Sequence, residues 1–275
     1  MTSPLPALAP RLIATDLDGT LLRSDHTLSE RTLRALRGAG EAGMDIVFVT
    51  ARPPRFVAAL AAEYGLTGTA VCSNGALVYD VGARAVRSSR FLRAEAARKV
   101  AEALSTTVGG VAFAVETGSH VVFAPGFGHL LQEDVAAERP VASVEELWEW
   151  RTPFVKLLAW SPTVDADMML AAAEGAAGDA AQYTHSGGTG LLEVSAPGVT
   201  KAGTLAQLCR QRSLESRDVI AFGDMPNDVT VLEWAGIGYA MSNAHPAVLA
   251  AVSRHTASNE EDGVAAVLEE ILTAR

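Results

Sequence analysis

Residues 11–20 read Arg-Leu-Ile-Ala-Thr-Asp-Leu-Asp-Gly-Thr. This short apolar run breaks into two aspartates one residue apart, and it constrains the fold more than any other segment. The run is too short for a helix and continuous rather than alternating, so it reads as a strand buried on both faces. A helical pattern begins at Leu28 or Ser29, with Leu33, Leu36 and Arg37 at i, i+3, i+4 spacing, and stops among Gly38 to Gly43. Asp45 to Thr50 is a second strand, Phe56 to Tyr64 a helix behind Pro53-Pro54, and Ala70 to Cys72 a third strand running into Ser73-Asn74-Gly75. Strands alternating with helices predict a parallel sheet with right-handed crossovers.

The same grammar returns at the far end. Lys201 to Arg212 is helical, Val219 to Phe222 a strand leading into Gly223-Asp224-Met225-Pro226-Asn227-Asp228, Val229 to Trp234 helical, Gly236 to Met241 a strand, and Val264 to Leu272 a final helix. The middle differs. A helix over Ala94 to Ser105, a hairpin over Gly110 to Phe123, a strand over Pro153 to Trp160, a helix over Asp165 to Ala177 and a strand over Ala180 to Thr184 read as an α+β insert. The expected organisation is α/β: a core from residues 1–82 and 191–275, with an inserted domain from residues 83–190.

The chain has 275 residues, enough for one large domain or two medium ones. Acidic residues outnumber basic ones 32 to 22, a net charge of −10. That balance argues against nucleic acid or an anionic membrane as partner. It leaves a phosphorylated small molecule open, because one cleft can reverse its local field with a cation or a metal. Two cysteines, Cys72 and Cys209, make no disulfide framework. No signal-like segment and no apolar run near the ~20 residues of a membrane span is present. The expectation is a cytoplasmic protein, monomer or dimer.

Four features fall at the carboxyl ends of predicted strands, where open α/β sheets bind ligands. Asp16 and Asp18 follow the first strand; carboxylates this close repel, and a divalent cation relieves the repulsion. Thr50 ends the second strand, with the N–H of Ala51 beside it. Lys201 opens a helix after Gly198-Val199-Thr200, beside free helix N–H groups. Asp224 and Asp228 follow a later strand, with Asn227 between them. Each taken alone also reads as a cap or a solvated residue. All of them meeting at one sheet edge does not.

This set resembles the haloacid dehalogenase superfamily. Asp16-Leu-Asp-Gly-Thr is similar to its first motif, Val49-Thr50-Ala-Arg52 to its second, Lys201-Ala-Gly-Thr-Leu to its third and Gly223-Asp224-Met-Pro-Asn227-Asp228 to its fourth. An insert after Ser73-Asn74-Gly75-Ala76 is similar to the Cof-type, or IIB, subfamily, with a Rossmann-like core and an α/β cap. Ala51 stands where the second motif more often has Gly, and Ala202 where the third more often has Gly. The resemblance implies a phosphatase for a small phosphorylated metabolite, a sugar phosphate or similar. Asp16 would attack phosphorus to give an aspartyl-phosphate, with Asp18 as acid and then base. Mg²⁺ would be held by Asp16, the Asp18 carbonyl and Asp224, with Asp228 as a further or supporting ligand. Leu17 and Ala51 N–H groups, Thr50, Lys201 and Asn227 would cradle the phosphoryl oxygens. A phosphomutase would keep the same aspartate pair, and a catalytically silent binding protein is the reading from another class.

Lys156 stands in the apolar run Phe154-Val155-Lys156-Leu157-Leu158, where alternation puts Phe154, Lys156 and Leu158 on one face. Either that face is half solvated and Lys156 snorkels, or the cap closes over the cleft and Lys156 meets a polar group of the substrate's leaving portion. His26, His129, His245 and His255 lack metal-ligand spacing and read as surface or turn residues. Gly126-Phe-Gly128 lacks the third glycine of a dinucleotide site, and Gly187-Gly188-Thr189-Gly190 lacks the lysine of a phosphate loop and reads as a hinge turn.

Overall fold

The computed structural model describes residues 10–128, 136–185 and 190–274. His129 and the Gly187-Gly188-Thr189 run lie outside them. Two sheets organise the chain. The core sheet is built from β1 (Leu12–Thr15), β2 (Asp45–Val49), β3 (Thr69–Cys72), β4 (Leu77–Asp80) and β5 (Ala85–Ser89), with helices α1 (Glu30–Glu41) and α2 (Pro54–Tyr64) in the crossovers. The cap follows: α3 (Ala94–Thr107), β6 (Ala112–Glu116), β7 (Val121–Phe123), β8 (Glu138–Pro140), α4 (Glu145–Trp148), β9 (Lys156–Trp160), α5 (Ala166–Ala177), β10 (Gln182–Thr184) and β11 (Leu191–Ser195). The chain returns to the core with α6 (Lys201–Gln211), β12 (Val219–Gly223), α7 (Val229–Trp234), β13 (Ile237–Met241), α8 (Pro246–Ala251), β14 (His255–Thr256) and α9 (Gly263–Thr273).

The core order is β14-β13-β12-β1-β2-β3-β4-β5. Strands β14 to β3 run parallel, and β4 and β5 add an antiparallel hairpin. β1 sits at the centre with all four residues buried, which is why its sequence is apolar without alternation. The cap sheet runs β10-β11-β9-β6-β7-β8. One face packs on α3 and α5 through Val100, Leu104, Leu157, Met169 and Leu192. The other carries a smaller cluster around Ala112, Ala114, Val121 and Phe127.

Several expectations shift. β5 belongs to the core sheet and β11 pairs centrally in the cap sheet, so the expected boundaries at 82/83 and 190/191 do not follow sheet membership. The first crossing falls at residues 90–92: Arg90 N–H donates to Ala76 of the core, and Leu92 N–H to Phe154 of the cap. The second falls after Ser195, since Val199 already packs in the main core. The hairpin was hidden because β5 is mostly exposed and polar. The α1 helix runs through Gly38 and Gly40 to Glu41, with Ser29 capping the Thr32 N–H, because its Leu33, Ala35, Leu36 and Ala39 face is buried. Strand alternation does not extend back to Phe154, which shares a cluster with Leu157 and Ala159, while Val155 packs into the main core.

The turn Ser73–Gly75 is the platform for α6. Ser73 and Asn74 have positive φ, 51° and 56°, and Gly75 has φ +101°. The Gly75 carbonyl accepts from Thr204 Oγ1 at 2.8 Å. A Cβ on Gly75 would lie 2.3 Å from the Thr200 carbonyl oxygen, and Thr200 caps α6 through the Gly203 N–H. We expect Gly75→Ala to cost about 2–4 kcal/mol from left-handed strain plus the clash. Denaturant unfolding reads it, and a loss under ~1 kcal/mol would show that the platform yields.

Candidate active site

The carboxyl edge of the core sheet gathers the aspartates. Asp16 continues β1, its N–H donating to the Phe222 carbonyl at 3.1 Å. Lys201, the first residue of α6, reaches across from Thr200. Its Nζ donates to Asp16 Oδ1 at 2.8 Å and Asp228 Oδ1 at 2.7 Å. The lysine is 2 % exposed, Asp16 6 % and Asp228 2 %, so this bridge lies out of water. Asp228 is used on both oxygens: Oδ2 accepts the N–H groups of Asp224 and Met225, each at 3.1 Å. Asp224 accepts from Thr20 Oγ1 at 2.6 Å. Gly19 sits so close to Asp224 that a Cβ there would lie 2.3 Å from Oδ2, which is why a glycine follows Asp18.

Asp16, Asp224 and Asp228 each offer a carboxylate oxygen within 4.8 Å of the others, and all three are buried. Burial pushes the Asp16 carboxyl well above the usual range; Lys201 opposes this, and Asp228, Asp224 and Asp18 add to it. Asp224 is pushed up to about 7, chiefly by burial and then by Asp228, against the pull of Thr20 and Lys201. The pair Asp16 and Asp228 holds the Lys201 ammonium well above its ordinary range, against burial. Crowded carboxyls that resist ionising are a site for an added cation.

Asp18 stands apart from this cluster, at the mouth. The Arg52 guanidinium grips it on both oxygens, at 2.8 and 3.0 Å, and His26 Nδ1 lies 3.3 Å away. Arg52 stacks over the Phe56 ring at 4.1 Å. His26, Arg52 and Phe56 line a cleft of about 360 Å³ together with Ala59, Leu60 and the cap's Ala136 and Ala137. Leu17 is buried, and its carbonyl accepts the N–H groups of Thr20, Leu21 and Leu22, which turns the loop sharply. Thr50, 1 % exposed, accepts the Arg52 N–H on Oγ1 at 3.0 Å. Asn227 donates to Asn74 Oδ1 at 3.1 Å. Ser73 Oγ, Asn74 Nδ2 and Asn227 Oδ1 are buried with no hydrogen-bond partner of normal geometry among the described residues.

Lys156 fits neither expectation. It is 4 % exposed and therefore does not snorkel. Its ammonium is held by protein, on the Ala51 carbonyl at 2.8 Å and on the buried Glu193 carboxylate. Nor is His26 a bare turn residue, since it faces Asp18. His245 caps α8 through the Ala247 N–H, and His255 Nε2 donates to the Val252 carbonyl at 2.8 Å. Sequence reasoning missed Thr20, Arg52, Ser73, Asn74 and Glu193. Ser73-Asn74-Gly75 carried a usable signal, an Asn-Gly pair suited to left-handed backbone directly after a strand. Glu193 carried none, because residues 191–195 read as part of the core with no element expected there.

The sequence matches the haloacid dehalogenase-like hydrolase family over residues 13–268. The chain belongs to this family. A 5-amino-6-(5-phospho-D-ribitylamino)uracil phosphatase of Bacillus subtilis is 29% identical, over 95% of this chain and 97% of its own. A pyridoxal phosphate phosphatase of Escherichia coli is 28% identical, over 94% and 97%. Among solved structures, a sugar phosphatase of haloacid dehalogenase subclass IIB superposes with a TM-score of 0.79 at 20% identity, over 94% and 98%. At that identity the likeness is one of fold, and it extends through core and cap. Among the described residues no helix is long and apolar enough to cross a membrane.

The raised carboxyls set a sign for stability. Asp16 and Asp224 have folded-state values above their unfolded ones. Between about pH 4 and 7 the native state therefore binds more protons than the unfolded chain, and stability falls as pH rises. The chelated protein should melt at a lower temperature at pH 7.5 than at pH 5.5, and an added divalent cation should narrow the gap. Melting curves in chelator and in excess cation test it; a chelated protein more stable at pH 7.5 would contradict the assignment.

Proposed function

We propose that the protein is a Mg²⁺-dependent phosphatase that hydrolyses a small phosphorylated metabolite through an aspartyl-phosphate on Asp16. The observation that carries this reading is the buried Asp16–Lys201–Asp228 bridge with Asp224 beside it, at the carboxyl edge of the central strand. Asp16, the Asp18 carbonyl and Asp224 would hold the metal, and their hard oxygens suit Mg²⁺. Asp228, with both oxygens bonded to protein, supports the loop. Bound Mg²⁺ would neutralise phosphoryl charge and lower the carboxyl values that burial raises.

Lys201 holds Asp16 Oδ1, which leaves the other carboxylate oxygen of Asp16 to act as nucleophile. In the first step its oxygen forms a bond to phosphorus while the ester P–O bond breaks, and Asp18 gives the leaving oxygen its proton. Asp18 then takes a proton from water, which attacks phosphorus and releases Asp16. The Arg52 fork keeps the Asp18 carboxyl at the cleft mouth, where the leaving group would lie against Phe56 and Leu60. Lys201, Thr50, Asn227 and the N–H groups of Leu17 and Ala51 would share the phosphoryl oxygens, and positioning with charge neutralisation supplies most of the acceleration. The named relatives act on a phosphorylated ribitylaminouracil and on pyridoxal phosphate, which supports a phosphorylated metabolite here too. Cytoplasmic residence fits two buried free thiols, Cys72 and Cys209, whose acidities burial suppresses.

Phosphate release over a panel of sugar phosphates, nucleotides, pyridoxal phosphate and flavin mononucleotide, with Mg²⁺, tests the reading. We expect free orthophosphate rather than a rearranged ester, silence in chelator and recovery with Mg²⁺. Asp16→Asn should cut kcat by at least about 10³-fold while leaving the melting transition intact, because an isosteric amide cannot form the acyl phosphate. A tenth of wild-type rate in that variant would remove Asp16 as nucleophile.

A further inference from the structure

Lys156 is the buried cation that the reaction above does not use. It lies on the cap, opposite Glu116 on one neighbouring strand and Ser195 on the other. That row forms the end of the cap sheet that meets the core. Glu116 binds Arg55 of α2 on both oxygens at 2.8 Å, and Lys156 binds Ala51 in the loop just before α2.

Two chains of contacts leave the Lys156 ammonium. The first runs through one peptide: Nζ donates to the Ala51 carbonyl at 2.8 Å, and the N–H of that same peptide, on Arg52, donates to Thr50 Oγ1 at 3.0 Å. A cation on an amide oxygen polarises the amide and strengthens its N–H as donor. A hydroxyl that accepts on its oxygen keeps its own hydrogen for another acceptor. The second chain runs through Glu193. Burial alone would raise that carboxyl, but Lys156 and the neighbouring Asn74 amide hold it below its usual range. Asn74 does not complete a hydrogen bond of normal geometry through Nδ2, so this contact is a polar neighbour rather than a bond. Asn74 Oδ1 accepts from Asn227, and its backbone N–H donates to the Thr50 carbonyl at 3.1 Å. The first chain ends on Thr50, the second on Asn227 and the Thr50 carbonyl.

We propose that Lys156 and Glu193 are positioning residues, which hold Thr50 and Asn227 in phosphate-binding geometry so that the phosphate cradle is complete only when the cap sheet is seated. The proposal rests on the phosphate-site reading above. A purely structural role is poorly served by this pair. Each partner is 4 % exposed, and a buried ion pair contributes little over an apolar pair of similar shape.

That difference supplies the test. Wild type, Lys156→Met and the double variant Lys156→Met/Glu193→Met are compared by melting temperature and by calorimetric titration of orthophosphate with Mg²⁺. Steady-state kcat/KM is measured on p-nitrophenyl phosphate and a sugar phosphate. Lys156→Met leaves Glu193 buried and unpaired, so it should lower the melting temperature. It should also weaken orthophosphate binding by roughly ten- to a hundredfold, the scale of a charged hydrogen bond. Both substrates should lose by a similar factor, because the phosphoryl group is common to them. The double variant should recover most of the melting temperature and none of the phosphate affinity. Recovery of both in the double variant would make the pair structural only. Wild-type phosphate affinity in Lys156→Met, or a loss confined to one leaving group, would equally overturn the proposal. A wild type that binds orthophosphate but hydrolyses nothing would sink the hydrolase reading, and the affinity ratios would still decide the relay. A wild type that does not bind orthophosphate would sink both.

Discussion

One buried ammonium makes the catalytic edge foldable. Asp16, Asp224 and Asp228 crowd together out of water, and burial with mutual repulsion pushes Asp16 and Asp224 toward their neutral forms. Lys201 sits between two of them at hydrogen-bond distance. Its position is set by parts that have no chemistry of their own. Thr200 caps α6, Gly75 lets the Ser73–Gly75 turn pass under that cap, and Thr204 ties the helix back to the turn. A longer side chain at any of these contacts moves the start of α6, and with it the one charge that holds the acids together. The fold of this edge is therefore built around placing Lys201 within reach of both β1 and the loop after β12.

The parts of this edge that were legible in the sequence share a property: they are encoded locally. The strands β1, β2, β3 and β12 announce themselves as continuous apolar runs, and each ends in the residue that carries chemistry. The rest depends on contacts between segments far apart in the chain. Arg52 reads as a charge beside a proline pair until Asp18, 34 positions away, is seen in its fork. Glu193 stands in a segment expected in the core until β11 is found in the other sheet, with its partner Lys156 37 positions away. The hairpin β4–β5 is invisible to a hydrophobic pattern because its outer strand faces water. Periodicity reports which face of an element is buried and is silent on which neighbour buries it.

The contact between cap and core is polar where an apolar seam would have been simpler. Arg55–Glu116 and Lys156–Glu193 both sit at it, with Glu116 and Lys156 paired in register across the cap sheet. Arg55–Glu116 crosses from core to cap, and a shift of the cap would leave both charges unpaired, whereas Lys156–Glu193 joins two strands of the cap itself. Apart from Val155, which packs into the main core, the apolar clusters of the cap are its own, so polar contacts help to specify how the cap sits. In the proposed reaction that orientation decides which cap residues meet the leaving group.

The four carboxylates at this edge are chemically equivalent side chains, and only their surroundings separate them. Asp228 is saturated, with a lysine on one oxygen and two backbone N–H groups on the other, so it acts as a brace for the loop that carries Asp224. Asp224 is pushed up to about 7, and that resistance to ionising is what an added cation would remove. Asp16 is aligned by a charge on one oxygen, which suits a nucleophile that must present the other. Asp18 is kept out of the cluster by Arg52 and His26, at the water-facing mouth where protons are exchanged. In the proposed reaction, two residues along one loop therefore separate attack from proton transfer. Strand alternation would put Asp16 and Asp18 on the same face, but β1 ends at Thr15 and the chain turns about the Leu17 carbonyl, which accepts three N–H groups, so that Asp16 meets Lys201 while Asp18 meets Arg52.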